Sequence, residues 1–367
     1  MSAVGTVAPL RVLLAAGGTG GHLFPAESLA NVLIARGAQV DLVSDDRAST
    51  YAERFPAKLH EVTSGTVTGG GLLGKIKGAL LLVKGTRESL KLIGRLRPQI
   101  VVGFGGYPTV PPVYAATMRH IPTILHEQNA VMGRANRFLA GRVTKIATGF
   151  PLKDSAHSAK SVVVGNPVRP PVLDAAKVPY APLAPGGVLN LCVFGGSQGA
   201  RVMSEIVPPA IAMLPPEARA RISLVQQARE EDRARVEKAY ALMGVTAEVH
   251  PFFKDMPARI AASHLVISRS GASTVAELTV IGRPSILVPL PGSLDQDQAA
   301  NARVLADAGG AIVQLQPGFT PEWLAGELAR MLENPAELAI SAQNARSVAM
   351  PDAAERLADL VFAAAGR

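Results

Sequence analysis

Apolar residues along the 367-residue chain fall into two alternating rhythms. Short, mainly apolar runs at Arg11–Ala15, Val40–Ser44, Ile100–Gly103, Thr123–Leu125, Leu191–Phe194, Leu265–Ser268 and Ser285–Val288 read as strands, the first of them buried. Between them the apolar positions recur at helical spacing, as at Leu29, Val32 and Leu33, with Gly37 as a C-terminal stop. Pro25 stands where a first helical residue would be. Strands alternating with helices predict an α/β protein built on parallel sheets.

The junction after the first strand is Gly17-Gly18-Thr19-Gly20-Gly21-His22. A glycine-rich strand-to-helix turn aims backbone N–H groups and a helix N-terminus at one point, which suits a phosphate or pyrophosphate. A plain tight turn uses the same residues, and the run fits neither the Walker pattern nor GxGxxG. The pattern recurs about one domain length later, where Leu191–Phe194 leads through Gly195-Gly196-Ser197-Gln198-Gly199 into another helix. Proline- and glycine-rich stretches at 162–173 and 178–187 lie between the two turns. The expected organisation is therefore two doubly wound domains, 1–165 and 166–350, facing across a cleft.

Gly195-x-Ser197-x-Gly199 is also formally the nucleophile elbow of a hydrolase. A triad would then draw on Asp232 or Asp255 and on His250 or His264, none of them in a distinctive loop. Asp45, after the second strand, stands where a ribose-binding acid of an oxidoreductase would lie, but the GxGxxG is missing. With 48% hydrophobic residues the chain can bury a large core, and the lone Cys192, inside a strand-like run, is read as core. No apolar run is long enough to span a membrane and the first residues lack a basic signal-peptide start, so a soluble cytoplasmic chain is expected. The net charge of +8 calls for an anionic partner. With 4% aromatics and no RNP, zinc-finger or basic-region pattern, nucleic acid is set aside in favour of anionic lipid or a phosphorylated small molecule.

Four further motifs fall beyond strand ends or at the domain junction: HEQNAVMGRANRFLA at 126–140, GNPVR at 165–169, SRSGASTVAEL at 268–278 and VPLPGSLDQDQAANA at 288–302. Ligands of open α/β sheets bind there. Together with GGTGGH and GGSQGAR, and in this order from Arg11 to the PDAAERLADLV helix at 351–361, they closely resemble the bacterial MurG family of glycosyltransferases. That resemblance implies two Rossmann-like domains of GT-B type, with the C-terminal helix 351–367 packing back on the first. It also implies an inverting, metal-independent transfer of N-acetylglucosamine from UDP-N-acetylglucosamine to lipid I, giving lipid II at the cytoplasmic face of the inner membrane, with no cofactor.

By the same resemblance Ser197 and its glycine turn hold the donor diphosphate, with Ala272, Ser273, Thr274, Val275 and Ala276 opening the helix beside it. Glu277 takes the ribose hydroxyls, Phe253 the uracil through its backbone, and Gln298, Asn129 and Arg169 the rest of the donor. Gly18, Thr19, Gly20, Gly21, His22 and Tyr107 face the acceptor and its diphosphate, and Thr19, Gly20 and Gly21 also meet the donor. His22, which titrates near neutral pH in its ordinary state, is the candidate base, against the plainer reading of a loop or phosphate hydrogen bond. Glu127 is either part of the acid–base machinery or a structural partner. The family often has an amide or histidine before this glutamine, whereas this chain has Asp297; Asp295-Gln-Asp297 is formally a metal-binding DxD, or simply a solvated pair.

The segment 68–98 carries seven basic residues against one acid, Glu88. Lys77, Lys84 and Lys91 share a helical face. Leu90 and Ile93 read as core-facing, while Leu72, Leu73, Lys75, Ile76, Lys77 and Leu80 form a candidate patch for an anionic membrane surface. Two rivals remain: a UDP-N-acetylglucosamine epimerase of similar architecture, and a non-catalytic binder of UDP-sugar or lipid phosphate.

Overall fold

All seven strand-like runs lie in the interior of one of two parallel sheets. The computed structural model describes every residue except 1–7, 18–19, 52–54, 66–70, 153–155, 197–198 and 294–295, and only the backbone at 49–51, 71–73 and 75. The chain divides into one unit of Met1–Arg169 with Asp352–Arg367, and a second of Pro170–Pro351.

The first unit runs β1 (Arg11–Ala15), α1 (Gly20–Ala35), β2 (Gln39–Ser44), β3 (Lys58–Glu61), α2 (Gly71–Leu96), β4 (Ile100–Gly103), α3 (Val110–Met118), β5 (Thr123–Glu127), α4 (Arg134–Ala140), β6 (Lys145–Thr148) and β7 (Ser161–Val163). Its strand order is β3-β2-β1-β4-β5-β6-β7, every pair parallel. Side chains alternate along β1: Val12 and Leu14 pack with Leu29 and Leu33 of α1, whereas Leu13 and Ala15 pack with Ile93 of α2, Val113 of α3 and Leu139 of α4. Burial on both faces is why the run lacks polar residues, and each fully buried leucine contributes about 2 kcal/mol.

In the second unit α5 (Pro170–Ala175), β8 (Leu189–Phe194), α6 (Arg201–Met213), α7 (Pro216–Arg219), β9 (Ile222–Gln227), α8 (Glu230–Met243) and β10 (Thr246–His250) come first. There follow α9 (Met256–Ala262), β11 (Leu265–Ser268), α10 (Ala272–Ile281), β12 (Ser285–Leu287), α11 (Asp297–Asp307), β13 (Ala311–Val313), α12 (Pro321–Glu333) and α13 (Ala336–Ser347). The sheet order is β10-β9-β8-β11-β12-β13, again parallel. Cys192 is buried in β8, its Sγ 3.7 Å from Met256 Sδ. The entry segment 178–180 is fastened by Arg283, whose buried guanidinium donates to the carbonyls of Val178, Pro179, Ala261, Ile281 and Gly282. Three of these end α9 and α10, where the helix dipoles favour a cation.

The last helix, α14 (Ala353–Ala364), belongs to the first unit. Leu357, Ala358 and Val361 complete the core formed by β1 and α1, and Arg36 meets Asp359 at 2.5 Å.

Two boundaries differ from the sequence reading. The first unit extends to Arg169 rather than 165, because Asn166 Nδ2 donates to the Gln128 carbonyl at 2.9 Å and Ser28 Oγ to the Val168 carbonyl at 3.1 Å. Helix α1 begins at Gly20, not at Pro25, which lies inside it. Glycine continues the turn into the helix, so Gly20, Gly21 and His22 form the first turn of α1; Pro25 forgoes one helical hydrogen bond within an otherwise packed element.

Candidate active site

In each sheet the chain leaves the middle strand in opposite directions, at β1/β4 in the first and at β8/β11 in the second. The carboxyl ends of those strand pairs are the topological switch points, where ligands of such sheets bind. The described parts of the glycine motifs lie there: Gly17, Gly20 and Gly21 with 104–107 in the first unit, and Gly195, Gly196 and Gly199 with 269–271 in the second.

In the first unit, Gly105 and Gly106 take φ of 86° and 77°. The positive φ is what calls for glycine at both; His22 lies at ordinary contact distance from this loop and closer to Gly17, where a Cβ would stand 3.2 Å from its Nδ1. Thr109 Oγ1 donates to the Gly105 and Ala15 carbonyls at 2.6 and 3.2 Å, tying the loop to β1. Tyr107, half-buried, follows Gly106 in the same loop. The pKa of His22 is pushed down to about 4, first by burial and then by the Arg47 guanidinium. The expectation of titration near neutrality is thereby corrected: the imidazole is unprotonated at pH 7. Thr19 and Gly18 lie outside the described residues.

Glu127 ends β5 and is buried. Its Oε1 accepts from Asn129 N–H and Nδ2 at 3.0 and 3.3 Å, and its Oε2 from Gly133 N–H and Asn136 Nδ2 at 2.9 and 2.8 Å. Burial pushes its pKa up while these four donors hold it down. The carboxylate thus organises the loop that carries Asn129 and the start of α4. Beside it His126, fully buried, shares a hydrogen between Nε2 and the Gly165 carbonyl at 3.0 Å and packs on Phe104, and burial pushes its pKa down to about 4. The Arg169 guanidinium lies 4.3 Å over the Phe24 ring of α1.

In the second unit Gly195 admits no side chain, since a Cβ there would stand 2.1 Å from Ala200 N. Its N–H donates to Gln227 Oε1 at 3.1 Å, and Gln227 Nε2 donates to the Pro251 carbonyl at 3.1 Å, joining this turn to the segment after β10. Gly196 and Gly199 take φ of 88° and 68°. Ser197 lies outside the described residues. Helix α6 follows with no side-chain cap, and α10 opens at Gly271, also without one. Of the stretch 272–277, Ala272, Val275 and Ala276 are packed in the core and Val275 N–H is spent on the Gly271 carbonyl. Ser273, Thr274 and Glu277 are half-buried. Phe253 is buried between the Arg259 guanidinium, 4.4 Å over its ring, and His250, which fixes the backbone around it.

Gln298 sits in the first turn of α11 and accepts Leu290 N–H on Oε1 at 3.0 Å, while Asp297 accepts Gln298 N–H at 2.7 Å. Asp295 lies outside the described residues, among which no group of three or more histidine, cysteine or acidic side chains gathers to hold a metal ion.

Sequence reasoning missed Arg269. It is buried at the end of β11, donates to the Val288 and Pro289 carbonyls at 3.0 Å each and to Gln316 Oε1 at 2.6 Å, and burial lowers its pKa. It places a cation held by neutral acceptors next to the N-terminus of α10. Its signal was the polar residue inside SRSG, one position beyond an apolar strand. Gln227 was missed because its partners, Gly195 and Pro251, are distant in sequence, and Asn136 although its partner Glu127 lies in the same 126–140 motif.

The model of the glycosyltransferase family 28 N-terminal domain matches residues 12–148, and that of the family 28 C-terminal domain matches 190–357. Parallel α/β units of this kind, each with a glycine turn at its switch point, define a GT-B type glycosyltransferase. A Rhodopseudomonas palustris protein named UDP-N-acetylglucosamine–N-acetylmuramyl-(pentapeptide) pyrophosphoryl-undecaprenol N-acetylglucosamine transferase is 57% identical over 360 residues, covering 97% of this chain and 98% of its own. A Methylobacterium radiotolerans protein of the same name is 55% identical, covering 99% and 100%. The crystal structure of Acinetobacter baumannii MurG matches with a TM-score of 0.81 and 29% identity, over 97% of this chain and 100% of that one. The chain belongs to the MurG family of N-acetylglucosamine transferases.

Proposed function

We propose that this chain is an inverting hexosyltransferase that moves N-acetylglucosamine from UDP-N-acetylglucosamine to the 4-hydroxyl of the N-acetylmuramyl group of lipid I, forming lipid II for peptidoglycan. The observation that carries this reading, beside family membership, is the repetition of one phosphate-binding device: a glycine turn at the switch point of each sheet. A reaction that joins a nucleoside-diphosphate sugar to a lipid-diphosphate sugar needs two such devices.

The turn 195–199 and the N-termini of α6 and α10 bind the donor diphosphate, with Ser197 among the contacts. The backbone N–H groups of Ala272, Ser273 and Thr274, in the first turn of α10, have no helical carbonyl to bond and are the ones we assign to the diphosphate, whereas Val275 N–H is spent on the Gly271 carbonyl. Glu277 receives the ribose hydroxyls and the backbone at Phe253 the uracil. Gln298, its Oε1 engaged by Leu290, offers Nε2 to a sugar hydroxyl. Asn129 and Arg169 complete the donor contacts from the first unit, where Gly18 to His22 and Tyr107 receive the acceptor.

His22, unprotonated at neutral pH, takes the proton of the acceptor 4-hydroxyl as that oxygen attacks C1 of the donor from the face opposite UDP. The bond between C1 and the phosphate oxygen breaks and its electron pair leaves with UDP, through an oxocarbenium-like transition state. Negative charge developing on UDP meets two helix N-termini and the buried Arg269, fixed groups that need no reorganisation. Glu127, saturated by four donors, positions Asn129 rather than exchanging protons.

No described helix is long and apolar enough to cross a membrane. Helix α2 instead turns Ile76, Leu80 and Val83 outward at 49%, 65% and 50% exposure, beside Lys77 and Lys84. Its opposite face is closely packed: a Cβ on Gly85 would overlap the Thr63 carbonyl at 1.9 Å. We assign this outward face to reversible binding at the cytoplasmic leaflet; the side chains of Leu72, Leu73 and Lys75, the rest of the candidate patch, lie outside those described. The activity is tested by supplying UDP-N-acetylglucosamine and a short-chain lipid I analogue and reading the new anomeric proton by NMR. A β linkage supports the inverting mechanism, and an α linkage refutes it.

A further inference from the structure

We propose that Arg259 is a positioning residue for recognition of the donor's base, acting through the ring of Phe253; the inference rests on the assignment of uracil to the backbone at Phe253 made above. Between β10 and α9 the chain runs through Pro251-Phe252-Phe253-Lys254-Asp255, a connection with no helix or strand of its own. Its start is tied to β9, where Gln227 Nε2 donates to the Pro251 carbonyl at 3.1 Å. Its middle is held by packing: the Arg259 guanidinium, from α9, lies 4.4 Å over the centre of the Phe253 ring, and the His250 ring meets the same ring edge-on at 5.3 Å between centres. Arg259 is in turn fixed to both ends of the connection, Nη1 donating to Glu248 Oε2 on β10 at 2.6 Å and Nε to Asp255 Oδ1 at 2.9 Å.

A base read by main-chain groups is discriminated only as well as the peptide is held. Uracil presents an N–H at N3 and a carbonyl at C4, whereas cytosine presents an acceptor at N3 and an amino group at C4. A peptide free to turn satisfies either. Here the Phe253 ring is 6% exposed, so turning the backbone at 253 draws a buried ring from beneath a cation that two carboxylates fix. A guanidinium suits this task, because its fork reaches both acids while its face covers the ring, which an ammonium cannot do. Glu248 and Asp255 are about half exposed, so their ion pairs add little to the stability of the fold. What they fix is the plane of Arg259.

The test titrates UDP and CDP into wild type, Arg259→Met and Arg259→Lys by calorimetry, with steady-state transfer alongside. Methionine keeps an apolar stem on the ring and removes the cation. It is expected to raise the UDP Kd and the KM for UDP-N-acetylglucosamine about fivefold while the CDP Kd and the acceptor KM stay within about twofold, so that the preference for UDP over CDP falls about fivefold. The lysine variant keeps a charge without the fork and should fall between, which gives the comparison a second, milder arm. An unchanged preference in Arg259→Met, or a loss equal for UDP and CDP, overturns the proposal whatever the melting temperature does, and leaves the uracil assignment standing. Wild type that binds UDP and CDP alike overturns the uracil assignment at Phe253 and the proposal with it.

Discussion

Replacing Gly195 with alanine should disable the donor turn while leaving the lipid side of the reaction intact. The added Cβ would stand 2.1 Å from Ala200 N and 2.4 Å from Ala200 Cβ, where ordinary contact begins at 3.4 Å. Both obstacles belong to the chain that opens α6, so no rotamer change relieves them; the turn must widen by more than about 1 Å. Overpacking of this kind costs about 1–3 kcal/mol, which for a unit of this size lowers the melting temperature by roughly 2–12 °C. A shift of about 1 Å also breaks the hydrogen bonds to phosphate, each worth about 1.5–3 kcal/mol, so the donor KM should rise about 10- to 100-fold. Gly196→Ala is the control: nothing lies within 4 Å of its Cβ, and only its φ of 88° resists alanine. It should cost about 1–2 kcal/mol of stability. Titrating donor and acceptor separately, with thermal unfolding alongside, reads all three effects. A Gly195→Ala enzyme whose donor KM stays within twofold, or whose acceptor KM rises equally, refutes the reasoning.

Three more outcomes are expected. His22→Ala should lower kcat by about 100-fold or more with UDP affinity unchanged, and near-normal turnover would remove His22 as the base. His126 titrates at about 4 when folded and near 6.5 when unfolded, so the folded state binds fewer protons between these values. Its contribution of about 3 kcal/mol is present above pH 6.5 and lost as pH falls through 4; denaturant melts should show a shallower acid loss in His126→Gln, and an unchanged slope contradicts the assignment. Lys77→Glu with Lys84→Glu should weaken binding to anionic vesicles by about tenfold or more, at roughly 1 kcal/mol per charge, with neutral vesicles unaffected; equal binding by variant and wild type sinks the proposed face.

The interior of both sheets was readable because strands buried on two faces are mainly apolar. Leu13 and Leu14 face different helices yet are both apolar. Lys58–Glu61 and Thr246–His250 escaped the same reading because they are edge strands, polar on their exposed sides. Pro25 misled because proline also tolerates a helix interior when the lost hydrogen bond is offset by packing. At the site, residues that act through their immediate neighbours, such as the glycines around 195–199, carried a local signal. Gln227 and Arg269 gave little, because each acquires meaning only when the fold brings partners from far along the chain to it.

The most direct test of the central claim is transfer of radiolabelled N-acetylglucosamine from its UDP donor to a short-chain lipid I analogue in the presence of EDTA. Labelled disaccharide-lipid is the predicted result. Transfer that appears only with added magnesium contradicts metal independence and turns attention to Asp295 and Asp297. Failure in both conditions, with release of a 2-epimer or glycal from the donor or with tight UDP binding and no turnover, contradicts the transferase reading itself.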